Sequence, residues 1–125
     1  MKESELKLLA ESWIRMHHAE KDSHGYNENF WAYNKLCDLC DDEPIICFEV
    51  INKIRSLDGS DVILSNLAAG PLEDLLSQHG ELIINKIEKL TEHDNQLKKM
   101  LGAVWKDSIS DSIWKRIQAV ASPSW

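Results

Sequence analysis

The sequence predicts an all-α protein of about eight short helices, packed as an irregular array of helical hairpins. Three observations lead there. Apolar residues recur at three- and four-residue spacing along most of the chain. Capping and breaking residues punctuate it about every 10–18 residues. No stretch alternates polar and apolar residues between hairpin turns. Val62-Ile63-Leu64 and Leu82-Ile83-Ile84 are the only apolar triplets with strand character, and both adjoin strong helix signals.

Taken in order, a first helix runs from about Ser4 to Glu20, with Leu6, Leu9, Trp13 and Met16 on one face. Lys21 to Gly25 reads as a loop. A second helix covers about Asn27 to Cys40, with Phe30, Tyr33, Leu36, Cys37 and Cys40 in register. Asp41-Asp42-Glu43-Pro44 is a helix start, since proline in a first turn lacks only an N–H that has no intrahelical partner. Ile45 to Leu57 follows, striped by Phe48, Ile51 and Ile54. Ser60 or Asp61 caps the next helix, which carries Val62, Leu64, Leu67 and Ala68 and stops at Gly70. Gly70-Pro71 reads as a hard break. A helix with Leu72, Leu75 and Leu76 then ends at His79-Gly80, and a sixth covers Leu82 to Leu90. Asp94 caps a seventh, through Leu97, Met100 and Leu101. Ser110 or Asp111 caps the last, with Ile113, Trp114, Ile117 and Val120. Residues 1–121 form one domain and 122–125 a tail that ends in Trp125.

Composition narrows the function classes. No segment approaches the roughly 18 apolar residues of a membrane span, and Met1 to Leu6 lacks an apolar signal core. Three cysteines suit free thiols in a reducing compartment, so a cytoplasmic protein is expected. The net charge of −7 is unevenly spread. Residues 36–81 carry ten acids against Lys53 and Arg55 alone, while 1–35 and 82–125 are close to balanced. That asymmetry argues against nucleic-acid binding, which needs lysine and arginine to meet phosphates. It fits either a solvated acidic surface or a face that steers a basic partner.

Candidate chemistry is sparse. Cys37-Asp38-Leu39-Cys40 is a C-x-x-C, with Cys47 seven residues on. A zinc site needs four ligands, and no second pair exists. A redox pair belongs at a helix N-terminus, whereas this one closes a helix. Buried small hydrophobes are the expected role of these cysteines. His17 and His18 point about 100° apart on a helix, so with Glu20 and His24 they make a poor metal cluster; His79 and His93 read as helix-end histidines. No G-x-S-x-G nucleophile turn or phosphate-binding loop is present. Adjacent acids such as Asp41/Asp42 and Glu73/Asp74 diverge on a helix. No enzyme activity, cofactor or metal is expected. Trp13 and Trp114 lie on core stripes. For Trp31 and Trp105 the core is the default, and an exposed partner anchor the alternative.

Several stretches together resemble a known family. They are Trp31-Ala32-Tyr33 through Cys40, then Leu67-Ala68-Ala69-Gly70-Pro71-Leu72-Glu73-Asp74-Leu75-Leu76, then Gly102-Ala103-Val104-Trp105-Lys106. The chain is similar over about residues 30–118 to a bacterial family of small helical domains of unknown function. Such domains occur as immunity proteins beside secreted toxins, including those of contact-dependent growth inhibition. The resemblance implies a cognate protein toxin, often a basic nuclease, blocked by tight binding. It carries no interface motif.

The residues themselves suggest how such binding would work. Asp38, Asp41, Asp42, Glu43, Asp58, Asp61, Glu73 and Asp74 are the expected acidic face, with Trp31 as an anchor. The other reading is a general helical adaptor domain with a different partner.

Overall fold

The computed structural model describes residues 1–123, so the expectation for Trp125 lies outside the described residues. Those residues are helical, with no strand among them. They form six rods, not about eight: α1 (Glu3–His18), α2 (His24–Asp42), α3 (Pro44–Leu57), α4, α5 (Asn95–Gly102) and α6 (Asp111–Val120). The fourth rod is continuous. It comprises α4a (Asp61–Leu67), a π-helical turn (Ala68–Leu72) and α4b (Glu73–Thr91).

Both expected breaks inside that rod are corrected. Pro71 has no N–H, and its ring would clash with the carbonyl four residues back in a regular α-helix. The widened π turn takes up the misfit. Gly70 helps, because proline crowds the Cβ of the residue before it and glycine has none. At His79 the backbone departs to φ −134°, ψ 32°, and the helix kinks without stopping. His79 is thus inside a rod and not at a helix end. Gly80 follows the kink because α6 comes close there. A Cβ at Gly80 would stand 3.2 Å from two carbons of Ile113.

α2 begins earlier than the sequence suggests. Ser23 accepts a hydrogen bond from the Tyr26 N–H at 3.2 Å, capping a helix that incorporates His24 and Gly25. Asp94 and Ser110 cap α5 and α6 in the same way, as expected.

The rods pack around one core. α1 lies against α2 and α3, α3 against α4b, and α4b against α6. Trp13, Leu36, Ile51, Leu67, Leu75 and Ile84 are among the fully buried side chains. Each such aliphatic group contributes roughly 1.5–3 kcal/mol by leaving water. Trp114 is half-buried against this core. The first residue of the expected tail, Ser122, donates its N–H to the Lys98 carbonyl at 3.0 Å. No helix among the described residues is long and apolar enough to cross a membrane.

Candidate functional site

The chain's acids divide into those with partners and those without. Glu11, Glu88, Asp94 and Asp111, in the first and last thirds, each face a lysine or arginine. The middle third differs. Its two cations point away from its acids: Lys53 pairs with Glu3 at 3.5 Å and Arg55 with Asp94 at 2.8 Å. Asp38, Asp41, Asp42, Glu43, Asp61 and Asp74 have no ion-pair partner among the described residues. Their charge is therefore uncompensated at the surface.

Packing gathers some of these acids and separates others. The end of α2 holds Asp38, Asp41 and Asp42, and Glu43 follows at once. α4b begins beside it, bringing Asp74 within electrostatic reach of Asp41 and Cys37. Burial, Glu73 and Asp41 raise the Asp74 carboxyl above the usual carboxylate range. Five carboxylates thus share one end of the bundle, with Glu73 adjoining. Asp58 and Asp61 lie at the other end of α3, about 20 Å away by helix rise. Asp58 is also engaged: its carboxylate meets His18 Nε2 at 2.8 Å and accepts the Ser60 N–H at 2.9 Å. The eight acids do not form one continuous face.

Trp31 is exposed on α2 and shares a stripe with Asp38 and Asp42 at spacings of seven and eleven residues. Tyr26, Phe30 and Tyr33 form a second, adjoining stripe. Their rings follow one another at centroid distances of 5.6 and 5.3 Å and lead towards Cys37. Tyr33 is exposed where a core position was expected. Its three- and four-residue spacing from Phe30 and Cys37 is that of a core stripe, and only the placement of α4b shows that part of this stripe stays open. Trp105 is the most exposed tryptophan described, at 77%. Its backbone N–H donates to Glu73 Oε1 at 2.9 Å, which fixes the α5–α6 loop beside the acidic end. Trp31 and Trp105 therefore both depart from the default of burial.

The cysteines divide as well. Cys40 and Cys47 are buried and in contact across α2 and α3, as small hydrophobes. The hydrogen bond with Cys40, together with burial, holds the Cys47 thiol far above the ordinary range. Cys37 is exposed, contrary to expectation, because it lies on the open stripe below Tyr33. Its sulfur is still partly covered, and that partial desolvation, then Asp74, Cys40, Asp41 and Asp38, push its pKa up. A thiol held protonated is a poor nucleophile. His17 packs on Trp13 at a centroid distance of 3.9 Å, while His18 turns to Asp58. No group of three or more metal-ligating side chains comes together among the described residues.

A model of a family of unknown function, DUF6869, matches residues 19–124. The chain belongs to DUF6869. No curated protein and no solved structure matches this DUF6869 chain. The family span takes in α2 through α6, and so both helices that bear the acidic end.

Proposed function

We propose that this DUF6869 protein is an immunity protein. It binds a cognate bacterial toxin, a basic nuclease, and occludes the active site with its acidic end. The observation that carries this reading is the set of unpaired carboxylates at the junction of α2 and α4b: Asp38, Asp41, Asp42, Glu43 and Asp74. Such a face meets a nucleic-acid-binding cleft on the cleft's own terms, giving fast and salt-sensitive association. Trp31 and Trp105, exposed beside it, supply the large desolvated contacts that dominate interface energy. The protein acts by binding, with no chemistry of its own, no cofactor and no metal, and works in the cytoplasm, where such a toxin would otherwise act.

The test is co-purification with the product of the adjacent gene, followed by a toxicity-neutralisation assay. The triple change Asp41→Lys, Asp42→Lys and Glu43→Lys is then expected to slow association at least tenfold at low salt and flatten its salt dependence. Unchanged association would remove this surface from the interface.

One observation favours the adaptor reading instead. Ile45 and Phe48 of α3 and Leu90 of α4b line an open groove with a mixed-charge rim of Lys86, Lys89, His93, Glu49 and Glu92. A partner that seats there and ignores the acidic end would be of another kind.

A further inference from the structure

Cys40 and Cys47 fill space between α2 and α3, and they are also placed to react with each other. Cys40 is in the last turn of α2, Cys47 is in the first turn of α3, and their thiols share a hydrogen bond. Cys47 is the donor. Its other acceptor, the Leu36 carbonyl, is 4.0 Å away. Donation to the Cys40 sulfur favours the thiolate there. It outweighs burial and the charges of Asp74 and Asp41, so the Cys40 pKa falls below the usual thiol value. Cys40 is therefore the nucleophile of the pair and Cys47 the thiol poised beside it.

Only a very small reagent can reach them. Cys47 is fully buried and Cys40 is 3% exposed. A narrow crevice between α2 and the π turn runs from the surface to Cys40. Tyr33, Cys37 and Asp74 are its exposed lining residues, and Trp13, Leu36 and Cys40 its buried ones. Its volume is about 30 Å³. A cavity needs roughly 10–15 Å³ to hold one water, so the crevice suits a molecule the size of water or hydrogen peroxide and excludes bulky reagents.

We propose that Cys40 and Cys47 form a peroxide-sensitive dithiol, which hydrogen peroxide entering by the crevice closes to a disulfide between α2 and α3. The Cys40 thiolate, its proton lost to solvent, attacks one peroxide oxygen. The O–O bond breaks, hydroxide leaves and takes up a proton as water, and Cys40 becomes a sulfenic acid. The Cys47 sulfur then attacks the Cys40 sulfur. An S–S bond forms, the S–O bond breaks, and the departing hydroxide takes the Cys47 proton as a second water. The two thiols are oxidised by two electrons and the peroxide is reduced to water. Bonded sulfurs stand only about 2 Å apart, so closure draws the last turn of α2 towards the first turn of α3. Asp41, Asp42 and Glu43 lie in the chain between the two cysteines, and their placement then depends on the oxidation state of the pair. The reaction itself needs no protein partner.

Cys37→Ser removes the exposed thiol and leaves the pair alone in the full-length chain. Treated with hydrogen peroxide, this variant is expected to lose two hydrogens by intact mass. Peptide mapping should find Cys40 joined to Cys47, and dithiothreitol should restore both thiols. Cumene hydroperoxide, too bulky for the crevice, should oxidise the folded variant at least about tenfold more slowly than hydrogen peroxide does, with the gap closing in urea. Cys47→Ala, added to Cys37→Ser, should stop at a Cys40 sulfenic acid, trapped by dimedone in a denaturing quench. The unsubstituted chain should form the same Cys40–Cys47 link. Oxidation confined to Cys37, or a link from Cys37 to Cys40, would overturn the proposal. So would equal rates for the two peroxides in the folded variant, since the pair would then react only as the chain opens. Absence of the sulfenic acid from a folded Cys47→Ala variant would remove Cys40 as the attacking sulfur and overturn it too.

Discussion

The His18 imidazole meets the Asp58 carboxylate at 2.8 Å across forty residues of sequence, fastening the end of α1 to the turn after α3. This contact engages an acid of the middle third at the end of α3 remote from the cluster formed by Asp38, Asp41, Asp42, Glu43 and Asp74. The chain's acidic middle is therefore two structures: a turn held by local bonds, and a field left open.

That division predicts different behaviour at the two ends. Asp58→Asn should cost about 1 kcal/mol or less, since the pair with His18 is solvent-exposed and screened. It should leave partner association unchanged, in contrast to the reversals at Asp41, Asp42 and Glu43. The Ser60 N–H and His18 hold the Asp58 carboxyl below its usual pKa. Its contribution is thus present above the unfolded-state value and lost as pH falls through the folded one. Chemical denaturation and association rates of the two variants, measured side by side, check both statements.

A second pH effect comes from His17. Burial, then the charge of His18, bring its pKa down from 6.5 to about 4, and its Nε2 is buried without a hydrogen-bond partner. The unfolded chain takes up this proton near pH 6.5 and the folded chain only near pH 4. More protons bind to the unfolded state between those values, so stability rises with pH across that window. The contribution of His17 is present above about pH 6.5 and is lost as pH falls towards 4. His17→Phe, which keeps a ring against Trp13, should flatten the stability profile between pH 4 and 6.5. Urea denaturation at a series of pH values measures this. A profile as steep as the parent's would place the acid sensitivity elsewhere.

The places where sequence misleads share a cause. Gly70-Pro71 and His79-Gly80 carry strong local stop signals, yet Leu64, Leu67, Leu72, Leu75, Leu76, Ile83 and Ile84 bury on both sides of them, and tertiary packing keeps the rod continuous. Gly25 similarly suggests a loop, although the Ser23 cap starts α2 before it. The acids at the end of α2 are legible because helix spacing alone places them together. Asp74 is expected on the same face, but the sequence puts Asp58 and Asp61 there with it, and only the packing of α4b on α2 sets Asp74 beside Asp41 and leaves those two apart. Tyr33 and Cys37 fall on a core-like stripe whose exposed part becomes visible only with that packing.

Gly80 gives a direct test of the kink. In an ordinary helix interior, glycine to alanine gains about 1 kcal/mol. Here the new methyl would press on Ile113, itself buried between α4b and α6. Overpacking of this kind costs roughly 1–3 kcal/mol, so Gly80→Ala should be net destabilising and should loosen α6. Hydrogen exchange of the α6 amides, expected to speed up in the variant, reads the effect where it arises. A variant more stable than the parent would mean that the two helices separate without cost.

Arg55 explains why the acidic end stays unneutralised, and it can be tested through Asp94. The Arg55 guanidinium, only 10% exposed, lies 2.8 Å from Asp94 and 3.0 Å from Gln96, and its Nε donates to Asn52 at 2.9 Å. These bonds hold its charge between α3 and the start of α5. Asp94 has a second task, accepting the Leu97 N–H at 2.9 Å as the cap of α5. Asp94→Ala removes the cap, worth about 1 kcal/mol, and leaves a mostly buried guanidinium without its counter-ion, at a further cost of about 1–3 kcal/mol. Asp94→Asn keeps a capping oxygen and loses only the charge, so it should fall between the parent and Asp94→Ala. Thermal melts are expected in that order, with partner association unchanged because Arg55 retains Gln96 and Asn52. If Asp94→Ala and Asp94→Asn melt together, the cap contributes nothing. If Asp94→Asn speeds or slows association, the charge of Arg55 reaches the acidic end after all.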